Sequence, residues 1–129
     1  MELVKKGAEA DIYLTKMFGQ DVIIKRRISK NYRNKQIDFK IRDSRTIHES
    51  HLLNHAKRSS VPTPAIRLIN RQNSEIIMDY VKGVRLKDLL HSKNIKKAAL
   101  LCYKSGVYIG RLHKHGIIHG DLTTSNIIM

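Results

Sequence analysis

The sequence predicts an α+β fold: an antiparallel sheet with one long helix, followed by a mostly helical segment that closes on a polar loop. Three observations carry this prediction. Short apolar and β-branched runs at residues 3–4, 12–14 and 22–24 are separated by turn residues, the mark of an antiparallel meander. One extended helical pattern, about residues 37–58, ends at Val61-Pro62-Thr63-Pro64, because each proline forces its predecessor into an extended conformation. A second helical pattern at 96–115 runs into the polar loop.

Each element follows in order. Gly7 separates the first two strands, and Phe18-Gly19-Gln20-Asp21 turns the chain into the third. Residues 29–36 are polar and basic and read as a loop. On the first helix, Ile37, Ile41, His48, Leu52 and Ala56 fall mostly three or four apart, giving a patchy apolar stripe for the sheet. Residues 65–69 and 75–78 read as a strand pair across a turn at 71–74. Gly83 punctuates, and residues 85–91 form a short helix. The helix at 96–115 carries Leu101, Ser105, Tyr108, Ile109 and Leu112 on one face. There is no internal repeat.

Composition narrows the function classes. A chain of 129 residues with 25 Lys+Arg against 11 Asp+Glu has a net charge of +14, which favours phosphate-rich partners. Cys102 is the single cysteine, so an intramolecular disulfide is excluded and a reducing compartment fits. The N-terminus lacks a signal-peptide apolar core and no apolar run approaches spanning length. The expectation is a soluble, cytoplasmic protein without a membrane partner. Residues 25–45 hold nine Lys and Arg against Asp38 and Asp43, with Tyr32 and Phe39 interleaved. Such a patch would bind a phosphate backbone, and Lys30, Arg33 and Lys35 are its candidate nucleic-acid contacts. A solvated loop and helix face would account for the same composition.

The closing run reads I-I-H-G-D-L-T-T-S-N-I-I-M, with Asp121 followed five places later by Asn126. This spacing in a polar loop between apolar runs resembles the catalytic loop of protein kinases. There Asp121 would orient or deprotonate the hydroxyl or water that attacks the terminal phosphate of ATP. Asn126 would turn back to hold Mg²⁺. His119 stands as in H-R-D, but Gly120 replaces the Arg, which argues against control by activation-loop phosphorylation. The order of elements matches a protein-kinase N-lobe followed by the first part of a helical C-lobe. Lys25 closes Val22-Ile23-Ile24-Lys25, much like the V-A-I-K strand, and would reach the phosphates, held by Glu49 on the following helix. The bland alternative pairs Glu49 with Arg45, one turn away. Gly7-Ala8-Glu9-Ala10 lies where kinases carry a glycine-rich phosphate loop, although a tight turn alone would account for Gly7. Met78-Asp79-Tyr80-Val81 matches the hinge, where the Asp79 carbonyl and the Val81 N–H would bond the adenine edge.

Taken together, H-G-D-L-T-T-S-N, the G-A-E-A turn, K-R-R-I-S-K-N-Y-R after the strand lysine and R-T-I-H-E on the helix resemble the small atypical kinase subunits of the KEOPS complex. The resemblance covers essentially the whole chain. It implies an atypical serine/threonine protein kinase or ATPase that uses ATP and Mg²⁺. Its partners would be a threonylcarbamoyl-transferring subunit, the other KEOPS subunits and tRNA, in the modification of the adenosine next to the anticodon. It further implies Asp121 and Lys25 as catalytic, Lys25 with Glu49 as the phosphate-side pair, Asn126 as metal ligand and Met78 at the back of the adenine pocket. The alternatives are a catalytically incomplete nucleotide-binding or scaffolding fragment, and a RIO-like or small-molecule kinase. Members of the family continue into a strand bearing D-F-G. The expectation is therefore an N-lobe over 1–81 and an incomplete C-lobe over 82–129 that ends just after the catalytic loop. Residues 127–129 would then be an unpaired strand, the metal would be weakly held, and an apolar patch would stay open on the second helix.

Overall fold

Phe18 and Gly19 both take positive φ, 50° and 77°, and this pair makes the two-residue turn that starts the sheet. In the computed structural model, which describes residues 1–91 and 94–129, the turn joins β2 (Ala10–Met17) to β3 (Gln20–Arg27). Primed turns of this kind match the right-handed twist of the flanking strands, and the register closes on Met17 opposite Gln20. The turn thus uses two of the four residues the sequence offered. Gln20 and Asp21 extend the ladder instead.

The chain divides into two compact units, Met1–Asn54 with Thr63–Tyr80, and His55–Pro62 with Val81–Met129. The first holds a five-stranded sheet in the order β1-β2-β3-β5-β4. Here β1 is Glu2–Lys5, β4 is Ile66–Asn70 and β5 is Glu75–Asp79. All neighbouring pairs are antiparallel, as the meander predicts. β5 lies between β3 and β4, and Glu75 through Met78 are all buried there, which accounts for its unbroken Ile76-Ile77-Met78 run. Val22 and Ile76 form the tightest part of this core, at 1% and 2% exposure.

The first helix, α1 (Lys35–Arg58), buries only part of the stripe expected of it: Ala56 is buried and Ile41 and Leu52 are half-buried. Ile37 is 56% exposed and His48 is exposed. Apart from Ala56, the buried positions are Asp38, Thr46 and Ser50, with Arg42 half-buried between them, one every four residues along a single face. Polar groups can face inward because their bonds are made locally. The Thr46 hydroxyl donates to the Arg42 carbonyl at 2.7 Å and that of Ser50 to the Ile47 carbonyl at 2.7 Å. Ion pairs then tie α1 to the sheet: Arg71, in the turn between β4 and β5, with Asp43 at 2.7 Å, and Lys25 and Arg27 of β3 with Glu49.

In the second unit, α2 (Leu86–Leu90) and α3 (Ile95–Lys114) join the last turn of α1. Ala56, Val61, Leu86, Leu112 and Ile117 are its buried apolar residues. Asn94 caps α3, its side-chain oxygen accepting from the Lys97 N–H at 3.1 Å. Gly116 at φ +74° ends it, and the Ile117 N–H returns to the Leu112 carbonyl at 2.9 Å. Ser105 and Leu112 are buried on α3 and Leu101, Tyr108 and Ile109 are half-buried, the face the sequence marked.

Residues 127–129 are paired, against expectation. Leu86 N–H donates to the Ile127 carbonyl at 2.8 Å, Val84 N–H to Met129 at 2.9 Å, and Met129 N–H returns to Val84 at 2.8 Å. Gly83 permits this approach, because a Cβ there would collide with the Met129 carbonyl and the Ile128 side chain. Among the described residues, no helix is long and apolar enough to cross a membrane.

Candidate active site

The candidate residues fall in both compact units. In the first, Lys25 lies near the end of β3 and Glu49 more than halfway along α1. Lys25 Nζ donates to Glu49 Oε1 at 2.6 Å. The other carboxylate oxygen accepts from Arg27 Nη2, also at 2.6 Å. One carboxylate is thus shared between two cations, and all three side chains are less than one-third exposed. Charge-assisted bonds at this distance are strong and directional. Glu49 does not take Arg45, the bland alternative. Arg45 reaches across to Glu9 at 3.4 Å.

That contact brings the Gly7–Ala10 turn into the same network. Gly7 N–H donates to Asp11 Oδ1 at 3.3 Å, and the Glu9 carbonyl accepts from the Ile28 N–H at 3.0 Å. Lys30 Nζ donates to the Ala8 carbonyl. A side chain on Gly7 would drive a Cβ into the Ala10 carbonyl oxygen, so the sharpness of the turn requires glycine. Ala8 and Glu9 are exposed, while Ala10 is half-buried as β2 begins.

Two of the three candidate nucleic-acid contacts are occupied within the fold. Lys30 holds Ala8, and Arg33 approaches Asp38 at 3.6 Å while stacking over Tyr32. Lys35 is exposed. Asp38 is the hub behind this loop. It accepts from Arg42 at 2.7 Å, from the Lys30 N–H at 3.1 Å and from the Ser29 hydroxyl at 3.1 Å. The Arg42 bond, above all, holds its carboxyl below the ordinary carboxylate range, against the opposing effect of burial.

Met78 is buried in β5, between Ile23 of β3 and Ile66 of β4. Asp79 donates its N–H to the Ala65 carbonyl at 2.9 Å and accepts from Arg67 through its side chain. Val81, the first residue of the second unit's longer segment, is exposed.

In the second unit the loop around Asp121 is closed by Asn126. Asn126 Nδ2 donates to the Asp121 backbone carbonyl at 2.8 Å and lies 3.5 Å from Oδ2 of the same residue. A 3₁₀ turn over Thr124–Asn126 makes this reach possible, with Asn126 N–H bonded to the Thr123 carbonyl at 3.0 Å. With Nδ2 engaged, Oδ1 is the Asn126 atom left to face a cation. Asp121 N–H donates to Nδ1 of His119 at 3.2 Å, so that nitrogen acts as an acceptor. Gly120, at φ +83°, lets the chain bend between them. Buried Ile117 on one side and the paired residues 127–129 on the other anchor the loop ends, while both Asp121 carboxylate and Asn126 stay exposed.

Sequence reasoning gave no site role to Arg27 or Asp38 and offered Arg45 only as a partner for Glu49, where the structure pairs it with Glu9. Arg27 had a signal: two residues past Lys25 on a strand, it projects to the same face.

Residues 13–129 match the RIO domain family. The KEOPS complex subunit Bud32 of Pyrococcus abyssi is 43% identical across 100% of this chain, which covers 61% of that protein. A "Probable bifunctional tRNA threonylcarbamoyladenosine biosynthesis protein" of Methanothermobacter thermautotrophicus is 44% identical over 99% of the chain, which covers 23% of it. The EKC/KEOPS complex subunit bud32 of Dictyostelium discoideum is 34% identical over 98% of the chain and is 52% covered. The chain therefore spans less than two-thirds of the length of each of these relatives.

Proposed function

We propose a function for this chain from one premise: it belongs to the RIO domain family, which is atypical and kinase-like. The proposal is an ATP-dependent serine/threonine kinase or ATPase subunit of a KEOPS-type complex, working in tRNA threonylcarbamoyladenosine modification in the cytoplasm. The names of its relatives support this reading. They also remove a contrast drawn from sequence, since a RIO domain and a KEOPS-type subunit are two levels of one description.

The single observation that carries the proposal is the Lys25–Glu49 ion pair at 2.6 Å. It joins a strand lysine to a helix carboxylate across 24 positions of sequence, in a unit whose order of elements, three strands, a helix and two strands, is the one expected of a kinase N-lobe. In this reading Lys25 binds the α- and β-phosphates of ATP and Glu49 fixes its ammonium. The Gly7–Ala10 turn covers phosphate with backbone N–H groups. Met78 backs the adenine, and the Asp79 carbonyl and Val81 N–H read its edge. Asp121 orients the attacking hydroxyl or water and accepts its proton. Asn126 Oδ1 suits Mg²⁺, which takes oxygen ligands and retains water and phosphate in its shell. Bound Mg²⁺ supplies charge neutralisation of the phosphates.

The partners in this proposal are a threonylcarbamoyl-transferring subunit, further KEOPS subunits and tRNA. The test is ATP hydrolysis by the full-length protein and its Lys25→Ala and Asp121→Asn variants. Both should lose turnover. Turnover equal to the parent in either would reject the assignment.

A further inference from the structure

The positive charge of this protein is spent unequally. In the first unit most cations already have carboxylates: Lys25 and Arg27 share Glu49, Arg26 holds Glu75, Arg42 and Arg33 meet Asp38, and Arg71 holds Asp43. The second unit is different. Between Asp88 and Asp121 the sequence has no Asp or Glu at all. Among the described residues of that unit, the one ion pair is Arg85 with Asp88. The uncompensated charge collects on α3.

Its arrangement is regular. Lys97, Lys104 and Arg111 recur every seven residues, a rise of about 10.5 Å per step. With Lys96 and Lys114 they fall within an arc of about 100° on the helix. All five are exposed, and the buried residues Ser105 and Leu112 lie on the other side. Tyr103, 70% exposed, borders the same arc. Arg111 donates through Nη1 to the Ser60 carbonyl at 2.9 Å and stacks over Tyr108. This fastens the end of α1, with exposed Lys57 and Arg58, beside the row.

We infer that this face of α3 is the surface that meets the phosphate backbone of RNA. The inference rests on the tRNA reading above, and it moves the contact away from Lys30, Arg33 and Lys35. A row of unpaired cations with no interspersed carboxylate fits a polyanion whose charges repeat along its length. An exposed tyrosine at its edge offers a stacking plane for an unpaired base. A membrane-bound helix would instead segregate an apolar face from its lysines, whereas Lys96 and Lys114 share their heading with Tyr103 and Val107.

The experiment is binding of an unmodified tRNA transcript to this chain between about 50 and 200 mM salt. The variants are Lys97→Gln/Lys104→Gln/Lys114→Gln, the same three positions changed to Arg, and Lys30→Gln/Arg33→Gln/Lys35→Gln. Gln and Arg both keep helix propensity, so the α3 variants should fold. The Gln triple on α3 should flatten the slope of log affinity against log salt by about two units, at roughly 0.7 per lost contact. The Arg triple should match the parent. An unchanged slope in the α3 Gln triple, with the parent still binding, would overturn this surface and leave the tRNA reading standing. A parent that binds no tRNA, or whose α3 lysines bind phosphatidylserine vesicles instead, would overturn both.

Discussion

Lys25 and Arg27 grip opposite oxygens of Glu49, each at 2.6 Å. The carboxylate is therefore fixed at both ends, and Lys25 is oriented by a group that cannot swing away. Strand alternation puts both cations on one face of β3, and α1 delivers the single anion between them.

This predicts an unequal response to substitution. Glu49→Gln should weaken ATP binding about ten-fold or more, since a charge-assisted bond contributes roughly 1.5–3 kcal/mol. Arg27→Gln should weaken it less, because Lys25 keeps its partner. Equilibrium titration of nucleotide into the two variants measures both, and equal losses would mean that Arg27 itself contacts phosphate.

Asp38 should make stability acid-sensitive. Its folded-state carboxyl titrates below its ordinary value because Arg42 and two further donors favour the anion. The contribution is complete above the unfolded pKa, about 3.9, and is lost as pH falls through the lower folded value. Asp38→Asn should lower Tm at neutral pH, and the difference from the parent should shrink as pH drops below about 4. Thermal melts across that range test it; a constant difference would rule out the ionised carboxyl as the cause.

Two turn positions should respond in opposite directions. Phe18 is 99% exposed and holds a positive φ, a conformation costing an ordinary residue about 1–2 kcal/mol. Phe18→Asn should therefore stabilise the hairpin by roughly 0.5–1 kcal/mol. Gly7→Ala places a methyl against the Ala10 carbonyl and should destabilise by about 1–3 kcal/mol. Denaturant melts of the two variants should move to opposite sides of the parent.

Asp121 and Asn126 should separate binding from chemistry. Asp121→Asn should lower turnover by about 10²–10⁴, the usual worth of a positioned base, with nucleotide affinity nearly unchanged. Asn126→Ala should also loosen the loop, since its amide closes onto the Asp121 carbonyl, and should raise the Mg²⁺ concentration needed for half-maximal rate.

Much of this was legible beforehand because it is local. Runs such as Val22-Ile23-Ile24 and Ile76-Ile77-Met78, with Gly and Pro between elements, marked the strands and helices. Spacing singled out Lys25, Glu49, Asp121 and Asn126. The inward face of α1 was hidden because it is polar. Asp38, Thr46 and Ser50 are buried only because bonds to Arg42, Ser29 and the helix's own carbonyls satisfy them, and no hydrophobic periodicity records that. The pairing of residues 127–129 with 84–86 was hidden for another reason. It joins segments more than forty residues apart, and neither segment's composition announces its partner. The basic run at 25–45 has the same limit, since composition counts charges without showing which are neutralised across the fold, as Arg27, Arg42 and Arg45 are.

The most direct measurement is calorimetric titration of Mg²⁺-ATP into the parent protein, Lys25→Ala and Asp121→Asn. The account predicts binding by the parent, its loss in Lys25→Ala and its retention in Asp121→Asn. Affinity in Lys25→Ala equal to that of the parent would contradict the assignment of the Lys25–Glu49 pair as the phosphate-binding centre.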